Sequence, residues 1–171
     1  MSNGLTDMEN EIKNLPTQLQ LSGIECGKGW YELIIPISEY IEKYNKENPE
    51  NECPMCFTQI KEKWGGLRVS VNYGTKELFD MISNAEAESY NICETCGSKE
   101  DVGEKFDGWY KTMCYECFLK MIKEMNYPMR FRRNSDKRTY LIHPDGKEED
   151  ITRRLEEHDY GEVCEGTNTI G

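Results

Sequence analysis

Histidine is nearly absent from this chain: His143 and His158 are the only two in 171 residues. Hydrolytic metal sites keep an open coordination position and usually enlist imidazole. Neither histidine lies near the cysteine motifs, so metal-assisted catalysis finds little support. Apolar residues are also scarce, at 37 %, which implies a modest core. No apolar run approaches the length of a membrane span, and Met1 to Asn14 lacks the apolar centre of a secretion signal. Cations are outnumbered, with 21 Lys and Arg against 32 Asp and Glu and a formal charge of −11. That balance disfavours general attraction to nucleic acid or to an anionic membrane. No repeat of solenoid length is present. The expectation is a soluble, cytoplasmic protein without a membrane partner.

Cysteine, by contrast, is plentiful, with eight residues. In a chain without an export signal they point to thiols and metal, because disulfides persist mainly in oxidising compartments. Cys93-Glu-Thr-Cys96 and Cys114-Tyr-Glu-Cys117 are two Cys-x2-Cys pairs separated by seventeen residues. This is the ligand spacing of a structural Zn2+ site, closed by four thiolates. Gly97 suits a tight knuckle after the first pair, and the second pair runs into Phe118 to Glu124, which reads as a helix. Knuckle, turn-rich hairpin (Gly103 to Tyr110) and ligand-bearing helix together predict a treble-clef-like module over 92–125. A closed shell holds structure and does no chemistry, and binding zinc through four thiolates would take the charge to about −13.

The remaining sequence reads as α+β. Thr6-Asp-Met-Glu9 has the form of a capping box in a loosely ordered lead segment, 1–21. Trp30, Leu33, Ile34, Ile37, Ile41 and Tyr44 recur at helical spacing, with Pro36 expected to kink that helix or delay its start. Val69, Val71 and Tyr73 alternate as a half-buried strand closed by Gly74. Thr75 caps a helix to about Tyr90, with Leu78, Met81, Ile82 and Ala85 inside. Residues 22–126 thus form an α+β core, and 127–171 an appendage: a hairpin of 129–133 with 138–142, a second turn at His143-Pro-Asp-Gly146, a helix from Glu148 to His158, and a tail from Gly161.

Three stretches agree in order with a known pattern: Ile24-Glu-Cys-Gly-Lys-Gly-Trp30, Gln59-Ile-Lys-Glu-Lys-Trp-Gly-Gly-Leu-Arg68, and Ala85-Glu-Ala-Glu-Ser followed by Ile92-Cys-Glu-Thr-Cys-Gly97 and Trp109-Tyr-Lys-Thr-Met-Cys114. Over about residues 22 to 120 the chain resembles a family of small uncharacterised proteins encoded by bacteriophages and prophages. The resemblance implies zinc binding and a phage or prophage setting, and no particular activity. Members commonly carry an acidic residue where this chain has Lys28, and often a histidine where it has Cys117. The first departure weakens any catalytic acid there; the second leaves zinc binding intact.

Cys53-Pro-Met-Cys56 has the internal spacing of two further ligands but no partner pair. Cys26 and Cys164, with His143 or His158 as substitutes, are the candidates to complete a second site; the plainer reading is reduced thiols. A redox dithiol lacks the Trp-Cys-Gly-Pro context of such enzymes. A His-Asn-His nuclease needs a histidine on the hairpin, where Glu104 to Trp109 has none. Lys61, Lys63 and Arg68 flank Trp64-Gly-Gly, either as a close-approach site or as a tight turn whose tryptophan fills the core. Arg130, Arg132, Arg133, Lys137 and Arg138, with Phe131 and Tyr140 between them, suit a phosphate-contacting hairpin, or one whose charge docks on the chain's own carboxylates.

With no assembled catalytic group, the sequence favours a binding protein over an enzyme. The expected activity is modulation of a host macromolecule, such as a defence or nucleic-acid-processing enzyme, in the host cytoplasm. Acidity that imitates DNA phosphates is part of that expectation. A nucleic-acid module using the 130–138 hairpin is the alternative, and a metal-dependent enzyme the more remote one.

Overall fold

The first core is built on one amphipathic helix. In the computed structural model, which describes Leu19 and residues 23–159, strand β1 (Ile24–Glu25) leads through a 3-10 turn at Lys28–Trp30 into α1 (Tyr31–Glu47). Ile34, Ile37 and Ile41 are buried on its inner face, with Trp30 buried just ahead of it. Pro36 lies inside α1, so the helix starts ahead of the proline and runs through it. Burial decides this: a proline inside a helix costs about 3 kcal/mol, whereas each buried isoleucine contributes roughly 1.5–3 kcal/mol.

Strands β2 (Phe57–Lys63) and β3 (Gly66–Val71) form an antiparallel hairpin, and β1 pairs parallel to β2. Lys63 opposes Gly66, leaving Trp64-Gly65 as a two-residue loop with φ of 56° and 74°. Such loops need positive φ at both central residues, which is easy for Gly65 and costly for a bulky tryptophan. Trp64 is 66 % exposed, so it does not fill the core. Strand β3 ends at Val71, short of Tyr73 and Gly74. Helix α2 (Lys76–Ser89) is capped by the Thr75 hydroxyl, which accepts from Leu78 N at 3.1 Å. Side chains of α2 also serve the edge of β3: Leu67 N donates to Ser89 Oγ and Val69 N to Glu86 Oε1.

The second core is smaller. Strands β4 (Val102–Lys105) and β5 (Lys111–Cys114), helix α3 (Tyr115–Met125), then β6 (Met129–Arg133), β7 (Thr139–Ile142) and β8 (Glu148–Asp150) make a five-stranded sheet in the order β5-β4-β6-β7-β8. Phe118 and Ile122 of α3 pack with Val102, Met113, Met129, Phe131 and Ile142, and the Phe118 and Phe131 rings lie 4.6 Å apart. Because β6 pairs with β4, the C-terminal hairpin shares a sheet and a core with the cysteine module. Glu148–Asp150 is an edge strand on β7, and the helix expected from Glu148 starts later, as α4 (Thr152–Asp159).

Trp30 joins the two halves: fully buried in the first core, it donates from Nε1 to Ile92 O at 2.9 Å, immediately before Cys93. Leu19 is buried in the same first core. The rest of the lead segment, the Thr6 capping box, Cys164 and the tail from Gly161 lie outside the described residues.

Candidate metal centre and an aromatic cleft

Two local structures bring the four cysteines together. Cys93 and Cys96 sit on a knuckle in which Gly97 N donates to Cys93 O and Cys93 N to Ser98 O, both at 2.8 Å, with Gly97 at φ 79°. Cys114 ends β5 and is the residue capping α3, and Cys117 lies in the first turn of that helix. The helix N-terminus therefore faces the thiols, where its partial positive charge favours anionic sulfur. All four sulfurs lie within 4.8 Å of one another, and Cys96 Sγ is 3.7 Å from Cys114 Sγ. Tetrahedral bonds of ~2.3 Å to zinc place sulfurs roughly 3.8 Å apart, so the donor set fits such an ion. Among the described residues this is the one cluster of three or more potential metal ligands.

The thiols' acidities express the same crowding. Hydrogen bonds from the backbone at Cys114, Cys96 and Thr95 lower the Cys93 pKa against the opposing effect of burial. Burial raises Cys114 and Cys117, and neighbouring sulfurs push Cys117 up further. Four thiolates at this separation repel one another, and a bound divalent cation offsets that repulsion. The shell is closed by protein sulfur, so it has the chemistry of a structural site rather than of one that activates water.

The knuckle is clamped from outside. Glu94 N donates to Thr112 O and Glu94 O accepts from Gly29 N. A Cβ at Gly29 would overlap Cys93 O, which is why the loop before Trp30 needs glycine there. Glu94 is 4 % exposed; its Oε1 accepts from Gly27 N at 2.8 Å, and Oε2 faces Lys111 Nζ at 3.6 Å. Nothing in the spacing of the sequence distinguished Glu94 from the many solvated carboxylates.

Among the described residues the other thiols do not join this centre. Burial, with Glu94 and Glu62 adding, pushes the Cys26 pKa up to about 12. Cys26, Cys53 and Cys56 do not come together in one cluster among the described residues. His143 sits in a turn closed by His143 N donating to Lys147 O.

A second feature lies where the halves meet. The β2–β3 tip and the β4–β5 loop enclose a cleft of about 350 Å³ lined by Lys61, Glu62, Lys63, Trp64, Gly108, Trp109 and Tyr110. Trp64 and Trp109 are 66 % and 69 % exposed. Trp64 meets Tyr110 edge to face at 5.9 Å. Glu62 braces both walls, with Oε1 accepting from Gly65 N at 2.7 Å and Oε2 from Trp109 Nε1 at 3.0 Å. Lys105 Nζ donates to the Asp107 and Trp109 carbonyls, fixing the loop. Thr112 Oγ1 donates to Gly65 O, tying β5 to the opposite tip. Lys61 and Lys63 form no ion pair among the described residues. The sequence marked Trp64 and the two lysines but missed Trp109 and Tyr110, whose role depends on a contact across forty-six residues of chain.

The basic hairpin is largely self-paired. Arg130 Nε lies 2.6 Å from Asp107 Oδ1. Arg133 donates to both Glu148 oxygens at 2.8 and 2.9 Å, and its guanidinium lies over the rings of Tyr115 and Tyr140. Arg138 pairs with Asp150 at 3.2 Å. Arg132 and Lys137 instead line a cleft of about 320 Å³ with Glu104, Thr139 and Thr152.

No family model, curated protein or solved structure matches the chain. No helix among the described residues is long and apolar enough to cross a membrane.

Proposed function

We propose that this is a zinc-stabilised binding protein that engages a protein partner through the aromatic cleft at the junction of its two halves. The observation that carries the reading is the pair of exposed indoles, Trp64 and Trp109, held by a shared carboxylate on two hairpin tips. Exposed aromatic residues on braced scaffolds are the commonest anchors of interfaces. Trp64 is also kept at positive φ, a conformation that persists only where the surroundings enforce it. The two unpaired lysines at the rim favour an apolar segment with acidic flanks. Zinc is the metal best suited to four thiolates, and the knuckle, hairpin and helix that carry them support a treble-clef assignment. The resemblance to phage-encoded proteins supports a partner in a bacterial host cytoplasm, with a defence or nucleic-acid-processing enzyme as the kind of target proposed.

The test is co-purification from infected or lysogenic cells with wild-type protein and with a Trp64→Ser, Trp109→Ser double variant, followed by titration of purified components. A protein retained by the wild type, lost with the double variant and bound near one-to-one supports the proposal. Equal retention by both contradicts it. Nucleic acid held in a salt-sensitive complex, and lost on reversing Arg132 and Lys137, would favour the alternative.

A further inference from the structure

The loop that joins α1 to β2 carries the remaining Cys-x2-Cys pair, Cys53 and Cys56, and its backbone is held throughout. From Cys53 to Cys56 every amide hydrogen and every carbonyl has a partner. Cys53 N donates to Asn51 Oδ1, Met55 N to Asn45 Oδ1 and Cys56 N to Asn72 Oδ1. Tyr73 Oη donates to Cys53 O, Asn72 Nδ2 to Pro54 O, Asn45 Nδ2 to Met55 O and Asn72 N to Cys56 O. Asn72 Nδ2 also reaches Cys53 Sγ at 3.6 Å. Met55 is fully buried and pins the loop from beneath, while Cys53 is exposed and Cys56 half-buried. A loop that merely connects two elements has no need of three asparagines and a tyrosine to fix four residues. A metal site requires preorganised ligands, and the Asn72 amide nitrogen on Cys53 Sγ is the kind of outer support a ligating sulfur takes.

The pair supplies only half of a tetrahedral thiolate shell. Among the described residues no third histidine, cysteine or carboxylate joins it. The same two thiols on a second copy, related by a two-fold axis through the ion, complete four matched ligands without any further residue type. We infer that Cys53 and Cys56 form a half-site that binds a soft divalent cation between two copies of this chain. The cation displaces the thiol protons to solvent, so assembly weakens in acid. Each chain carries a formal charge of −11, so repulsion opposes pairing, and added salt should favour the metal-bridged dimer.

The experiment is light scattering and metal analysis of the full-length protein, reduced and titrated with zinc alone. The expected result is a monomer with one ion per chain at low zinc, passing to a dimer with about three ions per two chains. Cys53→Ser with Cys56→Ser should stay monomeric and keep its single ion, which also shows that it is folded. Asn72→Ala, which leaves both thiols in place, should weaken the dimer at least tenfold. A wild type that remains monomeric in excess zinc overturns the inference, and so does a dimer that persists in the double-serine variant. A monomer holding two ions per chain also overturns it, since the site would then be completed within one chain. These outcomes are independent of partner binding at the aromatic cleft.

Discussion

The two halves of this molecule reach stability by different means. In the first, Trp30, Ile34, Ile37, Ile41, Ile60, Leu67 and Leu78 are buried almost completely, layered between two helices and a hairpin. In the second, Phe118, Ile122, Phe131 and Ile142 are, with Cys93, the fully enclosed side chains of the core among the described residues, and Cys93 and Cys114 belong to the core itself. A half with so little apolar mass is marginal on burial alone. A metal held by the four clustered cysteines would take the place of the missing side chains, and the loop of Gly27 to Trp30 ties that cluster to the other half.

The strongest way to break this contrast is Cys93→Ser. Structural zinc contributes an apparent ~10–16 kcal/mol, comparable with the roughly 5–15 kcal/mol of a whole domain. Loss of the bound ion and of structure in β4 to α4 is the expected outcome, read by metal content and circular dichroism, with α1 remaining helical. Trp30→Ala acts on both halves and should cost about 3–5 kcal/mol by urea unfolding. Trp30→Phe, which strands the Ile92 carbonyl and leaves a smaller void, should cost less, about 1–3 kcal/mol. Gly29→Ala forces a methyl against the knuckle carbonyl; an expected loss of roughly 1–3 kcal/mol should come with weaker metal retention in a chelator competition. Thr75→Ala removes the cap of α2 and should cost about 1 kcal/mol, leaving metal affinity unchanged.

The smallest effect is that of acid on the second sheet. Hydrogen bonds from Arg133 hold Glu148 below its ordinary value of 4.5. A depressed carboxylate stabilises the fold above its unfolded value, and that stability is lost as pH falls through the folded one. Thermal melts of wild type and Glu148→Gln should therefore differ above pH ~4.5 and converge below it.

Much of this arrangement was legible before the structure, wherever the signal was local. The clustering of Cys93, Cys96, Cys114 and Cys117 follows from spacing, α1 and α2 from helical periodicity, and the cap of α2 from Thr75. Strand β2 escaped notice because register slips between Phe57 and Gln59, so its buried residues Phe57 and Ile60 fall three apart and break the alternation. Strand β8 is wholly exposed and carries no apolar pattern at all. For Trp64 the sequence left open a close-approach site or a tight turn whose tryptophan fills the core; the tight turn is there, with positive φ at Trp64 and Gly65, but the side chain is exposed. Whether 127–171 stood apart or joined the cysteine module depended on the pairing of β6 with β4, which is long-range and leaves no local trace. The cleft was invisible for the same reason, since its two walls come from different halves.

Hydrogen exchange followed by mass spectrometry, on the protein with its metal and after chelation, tests the central contrast most directly. Loss of protection in β4, β5, α3 and β6, with protection in α1, β2, β3 and α2 retained, is the predicted result. Exchange that rises equally in both halves, or in neither, would contradict the account.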